Sequence, residues 1–520
     1  MQFKEMQFMV KIFFFLLFSC VLFGQELITT WASNAGKLNP HLYSPNQMYA
    51  QMMVYQSLVS YNGEIQGDVA ESWEISEDGK QYTFKIKDNL KFSDGSALDA
   101  YAIQKNFDAI LDNKARHSWL GITQKITHTQ ALDAKTFQIT LNSPYIAALY
   151  ELSLPRPYRF IAPSAMINGS TKDGIKAPIG SGAWVLDKSI LGVEDVFVQN
   201  PYFLNPHSSL TKITIKVLPD ANARILALRS GSIDMILGRD SLSKESFTFL
   251  SRDKNFKAIT SEPQGTLSLA INASKDRITN AKPLREALSY AINKDIIWKQ
   301  ILLEIDAPAK TLFNPALPFA NVGLSGVSFN PQRSAEILEE EGWKINPKDK
   351  MRYKGQQKLE IQLTYIGKNP TQKAISEAIQ NDLAKVGIAL KLIPTEEITF
   401  YQTQTNGNFD LIFNETWGKP FDPHSFISSM LTHSHADFET QKDLPNIAQI
   451  RQTIQKILND NSIENIQEYY RVLLKDLQDA YIYFPISYQK IPAVYNAKKI
   501  KSYQLGAMEN SFLFERIELY

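Results

Sequence analysis

The sequence predicts an α/β protein divided into at least two lobes. Short runs of β-branched and aromatic residues alternate along the chain with longer segments whose apolar residues recur every three or four positions, a pattern typical of α/β folds. The chain has 520 residues, which is more than one hydrophobic core usually serves. Its apolar and charged fractions, 44% and 21%, are those of an ordinary folded domain.

The N-terminal half predicts four strands and three helices. Apolar and β-branched runs predict strands at 27–31, 82–86, 136–141 and 212–217. Apolar residues at helical spacing predict helices at 48–59, 98–111 and 221–230. We expect the last helix to stop at Gly231, because glycine readily adopts the left-handed conformation that ends many helices.

The C-terminal half continues the alternation. Strands are predicted at 266–271, 359–365, 388–393 and 411–413, and helices at 284–293, 331–341, 372–386, 449–458 and 466–477. Gly387 separates one of these helices from the strand that follows it. No repeat of fixed period is found.

Residues 1–24 indicate an export signal. Lys4 and Lys11 precede an apolar run at 12–23, which is shorter than the roughly 20 residues needed to span a bilayer. A short apolar core behind a basic end is typical of secretory signals. Met9 is an alternative start of this segment.

Two ways of processing this segment remain open. Cleavage after Gly24 leaves a free exported protein, whereas lipoprotein processing at Cys20 leaves a lipid anchor. Cys20 is the only cysteine of the chain, so the mature protein has no disulfide, no thiolate metal site and no cysteine nucleophile.

The remaining composition disfavours two further classes of protein. The chain has 55 basic and 54 acidic residues, so no excess of positive charge directs it to nucleic acid. A hydrolase would need a nucleophile with a matching base, but there is no Gly-x-Ser-x-Gly segment, and Ser181 within Gly180-Ser181-Gly182 has no assignable base. We therefore do not expect an enzyme.

Several segments, in order along the chain, resemble the extracellular solute-binding proteins of the peptide and nickel importer family, also called family 5. They are Ala70-Glu71-Ser72-Trp73, Lys91-Phe92-Ser93-Asp94-Gly95, Asn106-Phe107, Pro178-Ile179-Gly180-Ser181-Gly182-Ala183-Trp184, Gly231-Ser232-Ile233-Asp234, Leu284-Arg285-Glu286-Ala287-Leu288 and Glu341-Gly342-Trp343. The likeness extends from about residue 27 to residue 520.

The resemblance implies the two-lobed periplasmic binding protein fold, with the ligand held in a cleft between the lobes. Lobe I would comprise 25–263 together with 487–520 and would include the extra subdomain of family 5. Lobe II would comprise 264–486. The two short connections between the lobes suit a hinge.

Within the family, the chain is most similar to the nickel-binding members. The segments that carry this likeness are 38–48, 116–119, 154–163, 416–418, 422–426, 428–430 and 434–438. Nickel(II) favours nitrogen and oxygen donors. The seven histidines include no His-x-x-x-His pair and no cluster of three on one element. The resemblance therefore implies nickel held in a small chelate, for example with L-histidine, that supplies most of the metal ligands.

The resemblance implies one direct protein ligand to the metal, His435, through a neutral imidazole nitrogen. His433, two residues earlier, could be a second ligand or a pH-sensitive gate. Arg156 would clamp a chelate carboxylate, because its guanidinium forms a planar fork and two flanking prolines fix its backbone. Arg116 would be the second cation. Both arginines and both histidines could instead serve ordinary structural or surface roles.

The remaining candidates are the walls of the site. Aromatic faces can enclose a flat chelate, and methionine adapts to irregular shapes. The residues concerned are Tyr43, Met48, Trp119, Trp417 and Phe421. The nickel-binding relatives usually have tyrosine in place of Phe421, so a hydrogen bond from that position is lost and the chelate preference could differ. Core packing is the alternative role for these side chains.

Other ligands and partners stay open at this point. Peptide-binding members of the family usually present an aspartate after the equivalent of Trp417, to pair with the peptide's amino group. Here Lys419 follows, and a cation would repel that group. Peptide or haem binding is nevertheless an alternative, since one scaffold serves several ligands. The family implies docking of a monomer onto an ABC permease with ATPase subunits.

Overall fold

The computed structural model describes residues 25–43, 47–204, 209–239, 241–433 and 435–520. The predicted export signal, with Cys20, Gly24 and Met9, lies outside these described residues. Within the described ranges, no helix has both the length and the apolar character needed to cross a membrane.

The first sheet has four strands, in the order Gln25–Trp31, Leu210–Val217, Glu194–Gln199 and Trp184–Ile190. The first pair is parallel and the other two are antiparallel. A second sheet contains Met235–Leu237, Pro492–Asn496 and Phe256–Thr260, with Pro492–Asn496 in the centre. Leu27, Phe197, Ile213 and Tyr495 are buried in their common core.

A subdomain is formed by part of the chain between the strands Gln25–Trp31 and Trp184–Ile190. Its antiparallel sheet has the order Ala70–Ile75, Gln81–Ile86, Thr136–Leu141 and Ile126–Asp133. The helix Ala100–Asp112 covers one face, and the Asp99 carboxylate caps its first turn by accepting from the Ala102 amide at 2.9 Å. The smaller elements between Trp31 and Trp184, some of which pack on the first sheet, are Met48–Val54, Val59–Tyr61, Ile65–Gly67, Lys114–His117, Gly121–Lys125, Ala148–Leu152, Pro163–Ala165, Met166–Ile167 and Ser170–Ile175.

The C-terminal part is organised around a sheet of six strands. Their order is Ala307–Pro308, Tyr483–Tyr488, Thr266–Ile271, Leu411–Glu415, Glu360–Ile366 and Ala389–Thr395. Glu360–Ile366 is parallel to both of its neighbours, and the remaining pairs are antiparallel. The central strands of this sheet are buried on both faces, and every residue of the strand Thr266–Ile271 is buried.

Helices cover the six-stranded sheet, and several have side-chain caps from Asn or Ser, as at Asn369 and Ser462. They are Lys282–Ala291, Lys294–Ile296, Ile297–Ile301, Pro331–Glu340, Pro370–Lys385, Glu397–Asn406, His424–Ser429, Ala436–Gln441, Ile447–Asn459 and Ile463–Asp479. The remaining elements of the described chain are Ala221–Arg229, Lys244–Ser251, Ile278–Asn280, Lys344–Ile345, Arg352–Lys354, Gln357–Lys358, Ile500–Ser502, Phe514–Arg516 and Glu518–Leu519.

The chain crosses between the two halves twice, at 261–265 and at 489–491, and the crossings are bonded to each other. The Ser261 amide donates to the Ile491 carbonyl at 2.9 Å, and the Gln264 amide donates to the Gln489 carbonyl at 2.8 Å. The Gln489 amide returns a bond to Gly265 at 2.9 Å. This paired geometry supports a hinge. The proposed division at 263/264 falls within the first crossing, whereas the one at 486/487 falls within the strand Tyr483–Tyr488, just before the second crossing.

The predicted helix at 48–59 ends earlier than expected, at Val54, and that prediction was wrong. The Val54 carbonyl accepts from the Gly182 amide at 2.8 Å instead of continuing the helix. The Tyr55 carbonyl accepts from the buried Arg159 guanidinium at 2.7 Å. A Cβ at position 180 would lie 2.0 Å from the Val54 oxygen, so only glycine permits this close approach.

Candidate functional site

Four aromatic rings from both halves of the molecule meet in one group, here called the ring cluster: Tyr43, Trp119, Trp417 and Phe421. Trp119 lies edge-on to Trp417 at 5.7 Å between ring centroids and 6.2 Å from Phe421. Trp417 and Phe421 are 5.9 Å apart. All four side chains are only half-buried, so the cluster is not closed core.

Tyr43 connects the cluster to its own half of the molecule. The indole N–H of Trp119 donates to the Tyr43 hydroxyl at 2.8 Å, and His117 Nδ1 lies 2.5 Å from the same oxygen. Burial raises the pKa of Tyr43 to about 12, so the hydroxyl stays protonated at neutral pH.

Two guanidinium groups lie over the Tyr43 ring. The Cζ atom of Arg156 is 4.8 Å from the ring centroid, and that of Arg116 is 5.7 Å away. Arg156 also donates to the Tyr43 carbonyl. Burial is the main cause that lowers the pKa of Arg156. In the described part of the chain, neither arginine has a carboxylate partner, so this corner of the site favours an anion.

His435 lies on the opposite side of the cluster. Its ring is edge-on to Trp417 at 5.5 Å, and its backbone precedes the helix Ala436–Gln441. Burial lowers the pKa of His435, and the nearby Asp437 carboxylate opposes this. The neutral imidazole that results is the form that binds metals. Neither of its ring nitrogens is hydrogen-bonded to another described residue.

Asp437 holds the segment that carries His435 in place. Its buried carboxylate accepts from the Tyr483 hydroxyl at 2.7 Å and from the Asn414 amide at 3.0 Å. Both partners lie on strands of the six-stranded sheet. The segment that carries His435 is therefore fixed to a rigid element.

His433 takes a different direction. Its Nε2 atom pairs with Glu439 at 2.8 Å, and 57% of its side chain is exposed. The other oxygen of Glu439 is bonded to Lys442 at 2.6 Å. The structure therefore brings His435, but not His433, against the ring cluster.

Met48 lies at the start of the helix Met48–Val54, and its sulfur is 3.8 Å from the Asn510 amide nitrogen of the C-terminal tail. A polar neighbour from the tail was not foreseen from the sequence. A role of Met48 as a wall stays a prediction.

The loop that carries Trp417 and Phe421 is held by Asp422, a residue that the sequence reasoning did not single out. The Asp422 carboxylate accepts from the Trp417 amide at 3.1 Å and from the Gly418 amide at 3.0 Å. Burial raises the pKa of Asp422 to about 7. A short polar residue five positions after a motif tryptophan is too weak a signal to reveal this role.

Three other histidines are buried, and their pKa values fall because burial disfavours the charged ring. The pKa of His41 is lowered to about 3, and both of its nitrogens are bonded, to Thr171 at 2.8 Å and to the Arg159 carbonyl at 3.0 Å. His424 packs between Phe319 and Tyr470, and its pKa is also about 3. The third, His117, contacts Tyr43, and its pKa is about 4.

A metal site made by the protein alone is not found in the described ranges. No group of three or more His, Cys, Asp or Glu side chains there could hold an ion. The arrangement offers one free imidazole, two guanidinium groups without carboxylates, and aromatic walls. Such a set can bind a metal only if another molecule provides most of the ligands.

Three comparisons with known proteins show what the chain is similar to. The family model described as bacterial extracellular solute-binding proteins, family 5 Middle, matches residues 64–438. The nickel-binding periplasmic protein of Escherichia coli K12 is 42% identical over 466 residues, 89% of each chain. The glutathione-binding protein GsiB of Shigella flexneri is 27% identical over 335 residues, 63% of this chain and 64% of that protein.

A solved structure extends the similarity to three dimensions. NikA from Brucella suis in complex with Fe(III)-EDTA superposes with a TM-score of 0.93 at 40% identity, over 95% of this chain and 100% of that chain. The fold predicted from the resemblance is thereby confirmed.

Proposed function

This chain belongs to the family 5 bacterial extracellular solute-binding proteins, and on that premise we propose that it binds nickel(II) as a small chelate in the periplasm and delivers it to the permease of an ABC importer. The E. coli relative is named a nickel-binding periplasmic protein. The Brucella relative holds Fe(III)-EDTA, a metal enclosed by an organic polycarboxylate.

One observation carries the proposal: the ring cluster joins the imidazole of His435, from one half of the molecule, to two guanidinium groups from the other half that have no carboxylate partner among the described residues. His435 contacts Trp417 at 5.5 Å, and Arg156 lies 4.8 Å from Tyr43. In this proposal His435 supplies one nitrogen ligand, and the chelate supplies the others. Arg156, helped by Arg116, binds the chelate carboxylates.

The ring cluster also gives a physical reason why a bound ligand would close the cleft between the two halves of the molecule. A chelate that touches Trp119 and Trp417 together contacts both halves of the molecule. Such a ligand stabilises the closed form by its higher affinity for that form. The closed protein is then the form that the permease and its ATPase subunits accept.

Peptide binding receives less support from the same geometry. A peptide's amino group needs a free carboxylate, but the nearest acidic residue of the loop, Asp422, is buried and already accepts two backbone amides. Lys419 adds a positive charge to the same loop, which repels an ammonium group.

Titration calorimetry tests the proposal directly. Nickel should bind in the presence of L-histidine, whereas a dipeptide and haemin should give no comparable heat. Native mass spectrometry of the loaded protein should show the mass of nickel together with an organic molecule. Dipeptide binding without any response to nickel would overturn the function, and bare bound nickel would overturn the chelate.

A further inference from the structure

Two ring nitrogens lie within hydrogen-bonding distance of the Tyr43 hydroxyl oxygen. The indole nitrogen of Trp119 can only donate, so at 2.8 Å the hydroxyl oxygen accepts from it. His117 Nδ1, at 2.5 Å, either donates or accepts, depending on which ring nitrogen carries the proton. The tautomer of His117 therefore decides the direction in which the Tyr43 proton can point.

His117 is fully buried and neutral near pH 7, because burial and the charge of Arg116 lower its pKa to about 4. Its Nε2 atom is buried and has no hydrogen-bond partner in the described part of the chain. A buried N–H without an acceptor is among the rarest defects in proteins, and an unpaired acceptor is less rare. The proton is therefore better placed on Nδ1, from which it is donated to Tyr43.

With the His117 proton on Nδ1, the hydroxyl proton of Tyr43 takes part in neither of these two hydrogen bonds. With Trp119 and His117 both donating to its oxygen, the hydroxyl can donate its own proton to a further group. The cations nearest to the Tyr43 ring are Arg156 and Arg116. The three side chains then present donors and no acceptor, and a carboxylate oxygen is the partner that fits such a set.

We propose that His117 is a positioning residue that acts through Tyr43: by donating from Nδ1, it keeps the Tyr43 hydroxyl free to donate to a carboxylate of the bound chelate. The inference rests on the proposed function, because the carboxylate belongs to the chelate. No proton is transferred, since each group keeps its own hydrogen.

The first experiment compares two nickel complexes by calorimetry. L-histidine and histamine offer the same imidazole and amine donors, but only histidine has a carboxylate. His117→Phe should weaken binding of the nickel–histidine complex by roughly tenfold to a hundredfold, the scale of a hydrogen bond to a charged group. Binding of the nickel–histamine complex should change by less than about threefold.

Matched variants separate this role from a general loss of structure. Tyr43→Phe should reproduce the loss, and His117→Phe added to Tyr43→Phe should weaken binding no further, because the two act through one hydroxyl. His117→Asn, whose amide can donate to the hydroxyl, should restore most of the affinity. Additive losses in the double variant, or equal losses for both complexes, would contradict the inference.

A second experiment does not depend on nickel. Nitrogen-15 NMR of the unmodified protein should identify His117 as the Nδ1–H tautomer. The Nε2–H tautomer would overturn the inference even if the nickel complexes bind. If the unmodified protein binds no nickel complex, the proposed function fails, and an Nδ1–H tautomer would then leave Tyr43 as a donor for a carboxylate ligand of another kind.

Discussion

Tyr43 is the residue on which the first half of the site depends. Its ring lies under Arg156 and Arg116, its hydroxyl bonds to Trp119, and its backbone carbonyl accepts from Arg156. The sequence placed Tyr43 among the walls of the site because of the resemblance. Its function as the support of Arg156 depends on distances that no local pattern encodes.

His435→Ala should weaken binding of the nickel–histidine complex by about 1–3 kcal/mol, because it removes the only proposed protein ligand to the metal. His433→Ala is the matched control. Its side chain is 57% exposed and pairs with Glu439 instead of contacting the ring cluster, so its loss should leave the affinity for the nickel complex nearly unchanged. Calorimetric titration of both variants checks this, and an equal loss in the two would contradict the assignment of His435.

Arg156→Ala should affect chelates according to their carboxylates. Loss of the guanidinium should weaken nickel–EDTA by about 1.5–3 kcal/mol and nickel–histamine by much less, because only the first offers carboxylates to the fork. Arg156→Lys keeps the charge and loses the planar geometry, so it should recover only part of the affinity. Competition titrations measure this, and identical losses for the two chelates would be inconsistent with a clamp.

Phe421→Tyr tests the departure from the nickel-binding relatives. The phenyl ring contacts Trp119 and Trp417 at 6.2 and 5.9 Å, so the added hydroxyl extends from a half-buried edge of the cluster. If it reaches a chelate oxygen, the affinity for carboxylate chelates should rise by about 0.5–1.5 kcal/mol. Calorimetry with nickel–histidine and nickel–EDTA decides this, and unchanged affinities would show that the position does not set the preference.

At the scale of elements, the loop from Thr416 to Asp422 determines where two of the cluster rings lie. The Thr416 hydroxyl accepts from the Thr266 amide at 2.8 Å, which ties the loop to the strand Thr266–Ile271. A Cβ at Gly265 would lie 2.4 Å from the Thr416 carbonyl oxygen. The loop therefore lies directly against a crossing between the halves, so we expect a movement of the hinge to displace Trp417.

Asp422 should make stability depend on pH between about 4 and 7. Its folded pKa, about 7, lies above the ordinary value, so the folded state binds a proton more tightly than the unfolded state. Stability from this group is present at low pH and is lost as pH rises through the folded pKa. The loss should amount to a few kcal/mol at most, since one pKa unit corresponds to about 1.4 kcal/mol.

Urea unfolding of the unmodified protein and of Asp422→Asn, at pH 5 and pH 8, measures this dependence. The unfolding free energy at pH 5 minus that at pH 8 should be more positive for the unmodified protein than for Asp422→Asn. The same pH dependence in both proteins would mean that other groups are responsible.

At the scale of the whole molecule, ligand binding should change the shape. Because the ring cluster draws side chains from both halves, nickel–histidine should reduce the radius of gyration measured by small-angle scattering. Trp119→Ala removes the ring that contacts Trp417 and Phe421 across the cleft. The same decrease in the radius of gyration should therefore need a higher ligand concentration. An unchanged radius at saturating ligand would contradict closure around the chelate.

Much of the fold followed from local pattern. The strands Thr136–Leu141 and Thr266–Ile271 have the predicted bounds, and the helix Pro331–Glu340 differs by one residue. Strands Trp184–Ile190 and Glu194–Gln199 were not predicted, because the apolar and polar residues of the first do not alternate and only Trp184 of it is buried. Pairing with neighbours, not periodicity, makes them strands.

The sequence by itself determined the alternation of strands and helices and the family, and it provided the candidates for the proposed site, because periodicity and motifs are local. Tertiary structure alone decided that His433 pairs with Glu439 while His435 contacts Trp417. It also decided that Asp422 holds the loop of Trp417, that His117 lies against the Tyr43 hydroxyl, and that the helix at 48 stops at Val54. Each of these depends on atoms far apart in the chain, which only the packed fold brings within hydrogen-bonding distance.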